Sequence, residues 1–402
     1  MKVLHVIPSI SERSGGPGQA IIPMCKALAE AGVEVLLATT DEGVSSSEFR
    51  VSSLEPAVEV HSSRTVRCIF KDVPTIMFPV QLGTSFKYSR PFAQWLETHV
   101  ADYDVVHIHA VFNHSSIAAA RACRQKRVPY VLRPLGTLGP WSMNQKSWRK
   151  RVFWHGGVKA LLSSAAAVHY TAKAEQIATE QSLRLNHGVV VPLGVDAHEG
   201  GPVSRKVLAR KLPALGDHSY VLVLSRLLPT KGLDVLLEAF LSLINDKGFA
   251  EWRLVFAGDG DPEYVSKLKQ KIDAAGAGAQ VLFSGWVDGE EKQAVVSNAS
   301  LLALPSYHEN FGLCVMEAMA VGVPVLISPE VSLAAEVEAV KAGWVAAIKK
   351  EAIEAALELA LRSTEERRRR GLAARALSEG FTWPVVATNL KDLYSSIVKQ
   401  PV

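Results

Sequence analysis

Residues 301–327 read LLALPSYHENFGLCVMEAMAVGVPVLI. The apolar run Leu301 to Leu304 is short and unbroken, as in a strand buried on both faces. Pro305 and Ser306 end it. From Leu313 to Val321 apolar residues recur at helical spacing, and Pro324 to Ile327 reads as a second buried strand. Strand, loop, helix and strand in succession predict a parallel βαβ unit. Glu309 then falls in the loop at the carboxyl end of the first strand, and Glu317 about a turn into the helix. Asn310, Phe311, Gly312 and Leu313 sit at the helix start, where amides without helical partners favour an anion. Gly312 lets such an anion come close to the backbone.

The same alternation extends in both directions. Toward the N-terminus, strands are expected at Tyr220–Leu224, Trp252–Ala257 and Gln280–Phe283, with helices at Leu233–Ile244, Pro262–Ala275 and Glu290–Asn298. An earlier series opens with the strand Lys2–Pro8, the loop Ser14–Gly18, a helix from Gln19 to Ala31 stopped by Gly32, and the strand Val33–Ala38. It continues through the strand Asp104–His109, a helix from about Ser115 to Lys126, and strands at Pro129–Leu132, Val168–Tyr170 and Gly188–Val191. The looser Gly200-Gly201-Pro202 separates the two series. The expectation is an α/β protein of two doubly wound, Rossmann-like domains with parallel sheets, 1–199 and 200–383. Ligands in such sheets sit outside the carboxyl ends of the strands.

Bulk properties agree with this reading. At 402 residues, the chain exceeds what one core usually serves. Its composition, 48% apolar and 21% charged, is that of a globular protein. No run of eighteen apolar residues marks a membrane span, and the Met1–Ile10 stretch lacks a cleavage site. Four cysteines share no metal-ligand spacing and read as reduced core residues. A cytoplasmic location is therefore expected. The net charge of +4 is too small to argue for nucleic acid. Its distribution is uneven: between Val105 and Ala174 lie eleven Lys/Arg and no Asp/Glu. Glu365-Glu366-Arg367-Arg368-Arg369-Arg370 is expected to be a solvated helix face.

Two carboxylates flanking an anion site suit a sugar nucleotide, one acting near the sugar and the other binding ribose hydroxyls. Taken alone, the two glutamates are better explained structurally, Glu309 as a loop cap and Glu317 as the start of an amphipathic helix. The surroundings decide between these. Glu309 and Glu317, with seven residues between, resemble the E-x7-E motif of the family 4 retaining glycosyltransferases of GT-B fold. Ala318–Val325, Val191–Asp196, Gly258-Asp259-Gly260 and Phe283–Val287 are similar to that family too. The resemblance covers nearly the whole chain and is weakest between about residues 40 and 100. It implies facing Rossmann-like domains, an interdomain cleft that closes to exclude water, and a last helix, 384–402, packed back on the first domain.

Several further residues take roles in this setting. Arg226 and Lys231 bracket a loop at a strand's carboxyl end, where two cations suit a diphosphate whose charge grows as the sugar bond breaks. The resemblance gives both this role. His109 and His107 share a face of their strand; strand position and the resemblance favour His109 as the one facing the donor sugar. Gly15-Gly16 matches the family's glycine loop, placing Gly16 near donor phosphates or acceptor. It is not a dinucleotide fingerprint, because Ile21 stands where G-x-G-x-x-G needs glycine. Arg133 follows a strand and is a candidate for an acceptor phosphate. Asp102-Tyr103-Asp104 and Asp259-Gly260-Asp261 have the D-x-D form of metal-binding transferases. The first lies at the wrong sheet edge, and the resemblance implies no metal and no cofactor.

The resemblance implies transfer of a sugar from a UDP- or GDP-sugar to a hydroxyl of a glycan or lipid-linked acceptor, with retention, in polysaccharide or lipopolysaccharide assembly. Lys146–Trp154 mixes cations with large aromatics. It suits peripheral contact with an anionic membrane, a lipid diphosphate, or a plain basic helix. A sugar-nucleotide epimerase and a noncatalytic sugar-nucleotide-binding protein are the rival readings.

Overall fold

Chains of Val, Leu and Ile with no polar alternation have no face to give to water, and the short apolar runs of this protein are buried on both sides. A computed structural model describes residues 1–11, 15–44, 49–51, 65–83, 86–139, 142–143, 157–196, 203–246 and 248–399. The chain divides into two units, Met1–Gly194 with Trp383–Val402, and Val195–Thr382.

The first unit is built on β1 (Lys2–Val6), β2 (Glu34–Thr40), β3 (Phe49–Val51), β4 (Val66–Phe70), β5 (Val73–Phe78), β6 (Val105–His109), β7 (Tyr130–Arg133), β8 (Ala167–Tyr170) and β9 (Gly188–Val190). Their order in the sheet is β3-β4-β5-β2-β1-β6-β7-β8-β9. From β5 to β9 every neighbouring pair is parallel. The pairs β3–β4 and β4–β5 are antiparallel, so this sheet is mixed where a parallel one was expected. The β4–β5 turn is Lys71-Asp72, both at positive φ (45° and 66°). Two-residue hairpins of this kind are usually signalled by Asn-Gly or Asp-Gly, and Lys-Asp carries no such signal.

Leu4, Val6, Ile76, Phe78, Phe92, Val106, Ile108 and Leu132 lie in one buried cluster, with the Phe78 and Phe92 rings stacked 4.3 Å apart. Each fully buried side chain of this size contributes roughly 1.5–3 kcal/mol. The helix Trp383–Val398 belongs to this unit. Trp383 packs so tightly on Gly194 that a Cβ there would stand 2.2 Å from the indole. Lys391 Nζ donates to the Ala31 carbonyl at the end of helix Gly16–Glu30 (2.6 Å).

The second unit is built on β10 (Tyr220–Leu224), β11 (Arg253–Ala257), β12 (Val281–Gly285), β13 (Leu301–Leu304), β14 (Val325–Ile327) and β15 (Gly343–Val345). The order is β12-β11-β10-β13-β14-β15, parallel throughout. The order in which strands are added reverses between β10 and β13, so their carboxyl ends form a topological switch point. Helix Pro262–Ala274 is capped by Asp261, whose carboxylate accepts from Tyr264 N (2.9 Å). Asp261 of the D-x-D look-alike is thus a helix cap.

The arginine run is only partly the solvated face expected of it. Arg368 and Arg369 are exposed. Arg367 is 9% exposed; it donates to the Ala360 and Leu361 carbonyls (2.7 and 2.9 Å) and lies 4.8 Å from the Trp252 ring. Arg370 lies 4.5 Å from the Trp344 ring and donates to the Gly343 carbonyl. Arg367 closes the carboxyl end of helix Lys350–Arg362, Arg370 ties its own helix to β15, and each covers an aromatic ring. Replacing Arg367 with Ala strands two carbonyls and is expected to cost about 1–3 kcal/mol. A thermal melt should show a drop of several degrees for Arg367→Ala and little change for Arg368→Ala. Equal midpoints would contradict this assignment.

Candidate functional site

Parallel pairing of β10 with β13, Val221 opposite Leu301 and Leu222 opposite Leu302, sends the loops after both strands out on the same side. Backbone contacts lock them together. Tyr307 N donates to the Thr230 carbonyl (2.9 Å), as does Ser306 Oγ (3.1 Å). Gly232, at φ 64°, lies where a Cβ would stand 2.2 Å from the Pro305 carbonyl oxygen. No other residue fits that approach. On these loops Lys231 and Glu309 meet as an ion pair, with side chains 14% and 20% exposed.

Glu309 is held from a third loop. Its N–H donates to the Glu330 carbonyl (3.2 Å), and its own carbonyl accepts from Ser332 N (3.1 Å) and Ser332 Oγ (3.2 Å). Gly312 is the N-cap of helix Leu313–Ala320, with φ 82°. Val315 N is the first amide to close a helical turn, onto the Gly312 carbonyl (2.9 Å). The amides of Gly312, Leu313 and Cys314 precede that ladder and form the anion-favouring end. The Phe311 side chain is buried, its ring 6.2 Å from Phe381, so only its backbone is presented to the site. Asn310 is half-buried beside it.

Arg226 stands exposed on the loop after β10. That loop is fastened to the one after β11: Leu227 N donates to the Asp259 carbonyl (3.0 Å), and Asp261 N donates to Leu227 (3.1 Å). Gly260 allows this, since a Cβ would stand 2.0 Å from the Leu227 carbonyl oxygen. Glu317 pairs with Lys292 of helix Gly289–Ser297 at 2.6 Å. Burial pushes the Glu317 carboxyl up, and Lys292 pulls it back. Lys292 escaped the sequence reading because it belongs to no motif around Glu317. Cys314, between the two glutamates, is pushed up to about 12 by burial and then by their charge. It is a thiol, not a thiolate, at neutral pH.

The other expected residues lie in the first unit. Gly16 opens helix Gly16–Glu30. The special geometry falls on its neighbours: Gly15 has φ 88°, and a Cβ on Gly18 would stand 2.7 Å from the Ser11 carbonyl oxygen. His109 is fully buried at the carboxyl end of β6. Register places His5 opposite His107, and His109 opposite Arg133, so one sheet face carries a polar cluster joined by His169 of β8. Arg133 is 2% exposed. It is thus enclosed among these histidines, with Glu175 acting on it, and not displayed on a surface. Burial and Glu175's opposing pull leave it at about 10.

Burial, followed by the Arg133 charge, lowers His5 and His169 to about 3. Burial and the neighbouring charges hold His107 and His109 well below the ordinary histidine value. All four rings are therefore neutral at pH 7, and neutrality fixes the tautomers of a chain. His169 Nε2–H donates to the Val191 carbonyl (2.7 Å), which leaves Nδ1 to accept from His107 Nε2–H (3.2 Å). His107 Nδ1 then accepts from the Tyr394 hydroxyl (2.6 Å). His107 is thereby committed on both nitrogens. His5 Nδ1 and His109 Nε2 share a proton across 3.0 Å, while His109 Nδ1 and His5 Nε2 have no hydrogen-bond partner among the described residues.

His5, His107 and His109 have ligand atoms within 4.8 Å of one another, the spacing of a metal site. Two observations oppose a cation there: His107 would have to give up one of its two hydrogen bonds, and the Arg133 guanidinium acts on all three rings. The segment 146–154 lies outside the described residues. Among those described, no helix is long and apolar enough to cross a membrane.

Comparison with known proteins fits this geometry. Residues 15–194 match the glycosyl transferase 4-like domain, and residues 204–377 match glycosyl transferases group 1. A D-inositol 3-phosphate glycosyltransferase of Nocardioides sp. is 26% identical over 78% of this chain and 70% of its own. A GDP-mannose-dependent alpha-(1-6)-phosphatidylinositol dimannoside mannosyltransferase of Mycobacterium tuberculosis is 30% identical over half of each chain. The chain spans only a third to a half of several relatives that it matches. The structure of Anabaena HepE in complex with UDP and glucose superposes with a TM-score of 0.76 at 20% identity, over 98% of this chain and 100% of that one. Its likeness is one of fold, the GT-B fold. With its two domains matched in order along nearly its whole length, the chain belongs to the family 4 glycosyltransferases.

Proposed function

We propose that the protein transfers a sugar from a UDP- or GDP-sugar to a hydroxyl of a glycan or lipid-linked acceptor, with retention of configuration. The observation that carries this reading is the Lys231–Glu309 pair set beside the start of helix Leu313–Ala320 at the β10/β13 switch point. In the ion pair the two charges compensate each other. A bound diphosphate would bring negative charge to Lys231, to Arg226 on the same loop, and to the amides at 312–314. These groups are strongest when the leaving diphosphate carries its full charge, which is where stabilisation lowers the barrier. Glu309, freed from holding Lys231 alone, would act on the sugar. Glu317 would accept hydrogen bonds from the ribose. His109 would face the donor sugar as a neutral ring, as the low value imposed by burial requires. No metal enters this scheme, and the reaction needs no cofactor.

The relatives point to both bases, GDP-mannose in one name and UDP in one structure. The acceptor class, glycan or lipid-linked, follows the phosphatidylinositol mannoside of that same relative. A place in polysaccharide or lipopolysaccharide assembly is proposed because much of the family works there.

Thermal shift with a panel of UDP- and GDP-sugars should raise the melting temperature for one base only, since a donor at 100 times its Kd adds about 2.7 kcal/mol. No shift with either base would remove the donor reading. Lys231→Ala and Arg226→Ala are each expected to lower kcat/KM by roughly 100-fold or more, and Glu309→Gln by on the order of 100-fold. Turnover at the wild-type rate in Glu309→Gln would end its assignment to the sugar. Segment 146–154 is proposed as a peripheral contact with anionic membrane. Flotation with anionic vesicles at low salt should carry the wild type and leave behind a variant with Lys146, Arg149, Lys150 and Arg151 replaced by Ala, each cation adding ~1 kcal/mol. A wild type that stays in the soluble fraction would refute that contact.

A further inference from the structure

Lys292 belongs to no motif, yet it is placed against one of the two glutamates that define the site. Its helix, Gly289–Ser297, follows β12 and packs beside helix Leu313–Ala320. Lys292 Nζ donates to Glu317 Oε1 at 2.6 Å, and the side chains are 26% and 27% exposed. This is an ion pair at the margin of a site, neither solvated nor sealed. Three groups bear on that carboxylate or sit near it. Lys292 favours its charge. Asp196, on the segment after β9, opposes it. Cys314, on the same helix as Glu317, is uncharged. Helix Thr364–Ser378 meets the far end of the Glu317 helix backbone to backbone, at Gly371 and Gly322. β13 and β14 bring only apolar residues. Lys292 is therefore the one cation acting on Glu317 among the described residues.

We propose that Lys292 is a positioning residue for the nucleotide: it keeps the Glu317 carboxylate ionised and oriented, with Oε1 engaged, so that the other oxygen accepts from the ribose hydroxyls. This rests on the reading of Glu317 as the ribose ligand. A carboxylate accepts at both oxygens, whereas a carboxylic acid loses acceptor capacity and gains a donor. Burial and Asp196 both push Glu317 toward the acid form. Removing Lys292 removes the opposing influence, so protonation, and loss of affinity with it, begins at higher pH.

The test uses UDP-glucose and GDP-mannose as probes, because a nucleotide diphosphate esterified to a sugar does not titrate between pH 5.5 and 8. Kd is measured across that range for wild type, Lys292→Met, Lys292→Arg, Glu317→Gln and the Lys292→Met/Glu317→Gln double variant. Lys292→Met is expected to bind more weakly than wild type. The deficit should deepen about tenfold for each unit by which the onset of protonation moves up. Lys292→Arg should restore most of the affinity. In the Glu317→Gln background, which has no carboxylate to protonate, Lys292→Met should add little, a non-additive cycle. A Lys292→Met deficit that is the same at every pH, or that adds fully to Glu317→Gln, would overturn the proposal while leaving the ribose role of Glu317 intact. Wild-type affinity in Glu317→Gln would instead overturn the ribose reading, and the proposal with it.

Discussion

Parallel pairing of β10 with β13 is the constraint on which the candidate donor site depends. Two strands that run side by side in the same direction deliver their loops to the same edge. Where the order reverses, ligands bind outside the carboxyl ends of the strands. Lys231 and Glu309 are 78 residues apart in sequence, and only this register brings them into one ion pair. The close approaches at Gly232 and Gly260 then hold the loops at fixed separation. A Cβ at either glycine would stand 2.2 or 2.0 Å from a carbonyl oxygen, closer than van der Waals contact allows, so one loop would have to move. The glycines act on function through backbone position, not through any contact of their own with a ligand.

The first unit solves a different problem. Four histidines, an arginine and a tyrosine hydroxyl lie in its interior. Burying charge is costly, and the rings stay neutral as a result, so that their hydrogen bonds can be ordered by proton bookkeeping. The Val191 carbonyl sets His169, His169 sets His107, and His107 accepts from Tyr394. Arg133 keeps its charge with Glu175 acting on it, and Glu175 in turn accepts from Thr171 and Gly136. Tyr394 comes from the last helix, so this hydrogen bond ties a helix far along the chain to the sheet of this unit. His109 stands at the end of that arrangement, stacked 4.3 Å from His107 and hydrogen-bonded to His5.

The elements themselves were largely legible in the amino-acid order. Unbroken apolar runs with helical stretches between them mark Tyr220–Leu224 and Leu301–Leu304 to the residue. The strands β4 and β5, toward one side of the first sheet, were not legible. Their pairing is antiparallel, and their turn at Lys71-Asp72 uses positive φ in residues that rarely adopt it. The arginine run misled for another reason: charge along a sequence says nothing of which cations find an aromatic face. Arg367 and Arg370 do, and Arg368 and Arg369 do not.

For the site, local order determined the loop positions of Glu309, Arg226 and Lys231, and the helix start at Gly312, because hydrophobic period and glycine placement are short-range properties. It also fixed membership of the family, since the E-x7-E segment and its flanks are local. Tertiary structure alone decided the partners: Lys231 with Glu309, Lys292 with Glu317, and His5 with His109. It alone decided that Arg133 is enclosed and that His107 is committed on both nitrogens. The reason is that ion pairing, burial and proton position depend on distances between strands that are neighbours in the sheet and strangers in the sequence.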